Sequence, residues 1–178
     1  MPTPLDLLLD PTTLIMLAMF ALLALFERFF PGRSLPRVPG WHARALAVFA
    51  LYFLVSSYLP LLWADALAPL QLLDPSGWPL WAAVALGVVV YELFAYAYHR
   101  GMHAIDAWFR LSHQMNHGAE RLDEYSAFRF HPQDIVGWTL VPSVALTLLG
   151  LPLAAATATI LLITFLGIYQ HANLCTPR

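Results

Sequence analysis

The stretch Pro79–Tyr98, PLWAAVALGVVVYELFAYAY, is apolar along nearly its whole length and runs straight into HRGMH at 99–103. A helix rising 1.5 Å per residue needs about 20 residues to cross a ~30 Å hydrocarbon core, and this stretch has that length. It predicts a membrane-spanning helix that delivers two histidines to one membrane surface. Two other runs match it, Thr13–Phe30 and Arg44–Ala64. The run Asp134–Tyr169 is longer and is interrupted by Gly150 and Pro152. Proline cannot continue a helix without losing a hydrogen bond, so this run predicts two helices turning in a hairpin. The expected fold class is an all-α integral membrane protein with four to five transmembrane or hairpin helices and a cytosolic histidine-bearing helical segment. A single membrane domain accounts for residues 1–178, with N-terminal transmembrane helices in 1–78 and the histidine region in 79–178.

Composition points the same way. Of 178 residues, 60% are hydrophobic and 11% charged, whereas a soluble domain carries about 25% charged residues. The net charge of −2 gives no reason to expect a nucleic-acid partner. Every basic residue is an arginine, and Cys175 stands alone, so no intrachain disulfide can form. Asp6 and Asp10 precede the first apolar run, and no base occurs before Arg28. A secretory leader has the opposite charge pattern, so the first segment is expected to be a retained anchor. No Gly-rich phosphate or dinucleotide fingerprint is present.

Arginine placement predicts the orientation. Arg28, Arg33, Arg37 and Arg44 surround the first loop, the loop 65–78 has two aspartates and no base, and Arg100, Arg110, Arg121 and Arg129 follow the third run. Cytosolic loops carry the arginine excess. The N-terminus is therefore expected outside, the first loop inside, the second outside and the polar stretch inside. The hairpin then returns inside, near Arg178. Trp41, Trp63, Trp78 and Trp81 fall near segment ends, where interface-seeking aromatics are expected.

This topology gathers the seven histidines on one face. His99 and His103 are spaced i, i+4, as are His113 and His117, and that spacing puts two imidazoles on one side of a helix. One straight helix would hold the two pairs ~21 Å apart. A turn near Ala104–Asp106, with Asp106 capping a new helix, would fold them together. His131 precedes Pro132, which biases it out of helical geometry and places it at the membrane interface near the same region; His171 closes the hairpin. His42 has no partner at ligand spacing and reads as a solvated interface residue. Imidazole suits Zn, Fe, Cu and Ni alike, so the residues alone do not name the metal. Glu92, Asp106, Glu120, Asp123, Glu124 and Asp134 flank the region as candidate partners for the rings' second nitrogens. Glu92, inside a membrane run, is a functional candidate unless an arginine meets it at the bundle edge. A bis-imidazole haem would more naturally use histidines from different membrane helices.

Over Tyr91–Leu174 the sequence resembles the sterol desaturase / fatty acid hydroxylase superfamily of membrane histidine-box enzymes. The carriers are YHRGMH, WFRLSHQMNH, AFRFHP and YQHANL, in that order. The resemblance implies a di-iron centre facing the cytosol, with zinc able to replace iron in preparations. It also implies O2-dependent hydroxylation or desaturation of an acyl or sterol lipid held by the bundle, with electrons from an external donor. On this pattern His99, His103, His113, His117, His131 and His171 are the metal ligands. Two departures stand out. Asn116 occupies the position where the second box of the family has a histidine, and the family's third box, HxxHH, does not occur before Arg178. The chain therefore reads as a truncated or degenerate member, and little C–H oxidation is expected of these residues alone. The alternative is a membrane metal-binding remnant or scaffold without catalysis.

Overall fold

The computed structural model describes residues 1–175, and within them the regular structure is helical. Arg178, placed inside by the charge pattern, lies outside the described residues.

A short helix, α1 (Pro4–Leu8), leads into α2 (Pro11–Phe29). Asp10 starts α2: its carboxylate accepts the Thr12 N–H at 2.8 Å, and Pro11 fills the first turn, where no donor is needed. α3 (Trp41–Leu67) and α4 (Leu80–Ala104) complete a set of three helices long and apolar enough to cross a membrane. Both exceed their expected bounds. α4 gains a turn and a half beyond Tyr98, so the first histidine pair is carried on the spanning helix itself.

The chain then turns, but not through an Asp106 cap. Ile105 takes extended geometry (φ −114°, ψ 101°) between α4 and the one-turn α5 (Asp106–Trp108), and no side chain caps that start. Asp106 instead pairs with Arg110 on the exposed face at 3.0 Å. A π-helical turn, Phe109–His113, follows and leads into α6 (Gln114–His117). A segment with one 3-10 stretch (Glu124–Phe128) crosses to α7 (Pro132–Leu149), and α8 (Leu153–Tyr169) returns. The hairpin turns where the sequence places it. Gly150 adopts φ +58°, a left-handed conformation that glycine reaches without penalty.

Around the bundle, α3 packs on α7, α7 on α4, α4 on α8 and α8 on α2. Residues Ala83, Gly87, Ala95 and Met102 form the buried stripe of α4, and small side chains let neighbouring backbones approach closely. At the histidine end, the segment 118–131 seats Phe128 among Phe49, Phe20 and Tyr52, with ring centroids 4.7, 5.7 and 5.8 Å away. Two buried polar contacts hold that segment down. Glu27 of α2 accepts the N–H groups of Glu124 (3.1 Å) and Asn173 (2.9 Å). Trp41, expected as an interface anchor, is instead 4% exposed, and its indole N–H donates to the Asp123 carboxylate at 3.0 Å. A buried carboxylate needs such donors, and this one also takes Arg121.

Candidate metal centre

The four paired histidines reach the centre by three local routes. His99 and His103 sit on adjacent turns at the end of α4. His113 ends the π-helical turn, where Gln114 N–H reaches back to the Phe109 carbonyl. Such wide turns re-aim side chains and recur at functional sites. His117 ends α6. Close approach of α4 to α7 completes the arrangement: the Tyr98 hydroxyl occupies the space a side chain on Gly137 would need.

The result is a convergence of ring nitrogens. His103 Nε2 lies 3.1 Å from His99 Nε2 and 3.1 Å from His117 Nε2, and His117 Nε2 lies 3.1 Å from His113 Nε2. All four ligand nitrogens fall within 4.8 Å of one another. Nitrogens bound tetrahedrally at ~2.1 Å would be about 3.4 Å apart, so the four rings surround a space of the size one transition-metal ion requires.

Protonation favours the same reading. Asp134 is 0% exposed, and as a carboxylate it accepts His113 Nδ1–H at Oδ2 across 2.8 Å. That fixes the tautomer and leaves His113 Nε2 with its lone pair turned to the other rings. The second carboxylate oxygen of Asp134 is buried without a partner, and a cation among the histidines would compensate its charge. Burial, followed by the neighbouring His113 and His103, lowers the affinity of His117 for a proton. His117 is thus held as the neutral ring that metals bind. The residues fit a metal ion.

The remaining candidates stand apart from the four-nitrogen group. His131 caps α7, its Nδ1 accepting the Gln133 N–H at 3.3 Å; a neutral ring so engaged carries its proton on Nε2, the nitrogen a metal would take. His171 donates Nδ1–H to the Gly167 carbonyl at 2.8 Å. Its Nε2 is therefore free, and the ring lines the same cavity as His99, His113 and His117. Asn116 also borders that cavity, with its amide 3.5 Å from the Arg129 carbonyl. His42 is exposed and packs edge-on against Tyr125 at 4.7 Å.

The cavity measures about 1230 Å³ and runs from the histidines through the middle of the bundle. Its wall is mainly apolar side chains of α2, α3, α4, α7 and α8. Glu92 is on that wall, and among the described residues no arginine meets it. Sequence reasoning missed the tie between Trp41 and Asp123, because it joins residues 82 positions apart. It named Asp134 only as one of six flanking acids; the signal available was its position one turn into the hairpin, beside the box histidines.

The comparisons with known proteins agree with this geometry. A family model described as fatty acid hydroxylase matches residues 84–178, more than half of the chain. The ornithine lipid hydroxylase OlsE of Rhizobium tropici is 31% identical over 99 residues, which make up 56% of this chain and 30% of that protein. The chain thus matches less than a third of the length of this curated relative. No solved structure matches. With its ordered histidine boxes, four of whose rings converge on one point, and the family match over its C-terminal half, the chain belongs to the fatty acid hydroxylase family.

Proposed function

We propose that this chain supplies the metal-holding and lipid-holding parts of a membrane lipid hydroxylase. The observation that carries the reading is that four histidine nitrogens converge at the head of a long apolar cavity. An iron centre held there would supply the O2 activation that oxidation of an unactivated C–H bond requires, with electrons from an external donor. The protein's own share is positioning. His99, His103, His113 and His117 would hold the metal, Asp134 keeps His113 in the ligating tautomer, and His171 offers one more free nitrogen. The wall of Phe20, Phe49, Phe53 and Ile160 excludes water and orients a lipid chain. Effective catalysis depends on such fixed geometry. Hydroxylation is preferred to desaturation because the curated relative is a lipid hydroxylase. Facing the histidines to the cytosol follows from the arginine distribution.

A second reading, a metal-binding membrane module without catalysis, is favoured by one feature: the four nitrogens enclose a single ion-sized space. The test expresses the chain alone and joined to the C-terminal segment of OlsE, with iron and a reductant system supplied. Lipid products heavier by one oxygen, lost in His113→Ala, are expected from at least the joined form. Metal-loaded protein that yields no product in either form would overturn the hydroxylase reading and leave the module.

A further inference from the structure

The far end of the cavity is a built floor. Leu72 N–H and Leu73 N–H both donate to the Leu148 carbonyl, at 2.8 and 3.3 Å, which straps the segment after α3 across the α7–α8 turn. The Gln71 side-chain amide donates to Leu73 O at 2.8 Å. Gly150 gives the strap room, since a side chain there would collide with the Gln71 amide and the Leu73 carbonyl. Leu67, Ala68, Gln71, Gly150 and Leu151 line this end of the cavity. The other end is marked by Trp138, whose ring lies 6.0 Å from that of His99.

The depth follows from α7. From Trp138 to Gly150 the chain climbs 12 residues, or about 18 Å. One leaflet's acyl chains occupy about half of a ~30 Å hydrocarbon core. The space between histidines and floor therefore matches a single membrane acyl chain, and a volume of about 1230 Å³ exceeds the ~300–1,000 Å³ of ordinary small-molecule pockets.

Building on the lipid-hydroxylase reading, we propose that the floor at Ala68, Gln71 and Leu151 is a chain-length selector. It limits how much linear acyl chain can lie beyond the carbon held at the histidines, and so determines which chain lengths are accepted and which carbon is presented. The occupant is a saturated or nearly linear acyl chain with its methyl end on the floor, where Leu67, Ala68 and Leu151 offer apolar contact. An extended alkyl chain, with bonds of about 1.5 Å at about 111°, advances about 1.25 Å per carbon, so a depth of about 18 Å corresponds to about 14 carbons.

The test measures binding, without turnover. The purified chain, in lipid nanodiscs, is loaded with a fluorescent fatty alcohol, which linear alcohols of increasing length then displace. The alcohols enter from nanodisc lipid, which is as apolar as the cavity wall, so affinity per mole of lipid should stay nearly level with added methylenes up to a break near 14 carbons and fall beyond it. Ala68→Phe should move that break to shorter chains by about three carbons, since it adds a whole ring to a methyl, and Leu151→Phe by about one. Should Leu151→Phe fail to fold, Ala68→Phe decides. A series without a break, or a break that stays put in every folded variant, overturns the proposal. Metal content read on the same samples separates the two ideas. A shifting break in protein that binds no metal would sink the hydroxylase reading and keep the selector, whereas full metal with an unmoved break would do the reverse.

Discussion

His113 and Asp134 form a hydrogen bond of 2.8 Å between side chains that are 3% and 0% exposed. The histidine belongs to the second box and the carboxylate to the first turn of the hairpin, so this bond joins the histidine loop to the membrane bundle. Its chemical effect is to keep the Nδ1 proton on His113 and its Nε2 available. Asp134→Asn should leave the fold in place and weaken metal binding about 10- to 100-fold, the usual cost of losing such a partner. Competition against a chelator of known affinity measures this. Unaltered affinity in Asp134→Asn would show that the carboxylate does not tune the site.

The four converging histidines should behave differently from His131. His99→Ala and His113→Ala are each expected to reduce bound metal well below the parent level, because each removes one of four nitrogens around a single space. His131→Ala should leave metal content unchanged and lower stability by up to ~1 kcal/mol, as loss of a helix cap does. Elemental analysis of the three purified variants checks both halves. A His131→Ala protein stripped of metal would place that ring among the ligands.

Stability should fall on the alkaline side. Burial first, and then the hydrogen bond to Glu27, push the Glu124 carboxyl up to about 8 from 4.5. The folded chain therefore holds that proton more tightly than the unfolded chain. The resulting stabilisation is complete below about 4.5 and is lost as pH rises through about 8. Thermal unfolding in neutral detergent should occur at lower temperature at pH 9 than at pH 6, and Glu124→Gln should flatten the difference. Parallel pH curves for parent and variant would exclude Glu124 as the source.

Sidedness can be read with reporter fusions. A reporter after Pro69 and another after Glu120 should signal opposite compartments, with the second in the cytosol, because the arginines cluster around the histidine loops. Identical signals would contradict the orientation.

Much of the bundle was legible from the order of residues. The apolar runs gave α2, α3 and α4 to within a few residues at most ends, because crossing a hydrocarbon core is a matter of length and composition. Gly150 and Pro152 marked the hairpin, since one tolerates a left-handed turn and the other ends a helix. Asp106 misled: a residue type that favours helix starts was present, but Arg110, four residues on, drew its carboxylate outward. Trp41 misled for a related reason. Its place near a segment end fits an interface anchor, and only the folded chain brings the buried Asp123 to its indole.

Hydropathy and i, i+4 spacing are local properties, so the order of residues was enough to show a helical membrane protein and four histidines in pairs. The tertiary structure decided that the two pairs share one ion-sized space, through the extended Ile105, the π-helical turn at 109–113 and the contact of Tyr98 with Gly137. It also decided that Asp134, among six nearby acids, meets His113, and that His131 turns to its own helix start. Each of these depends on where distant segments pack, and packing distance has no counterpart in residue spacing.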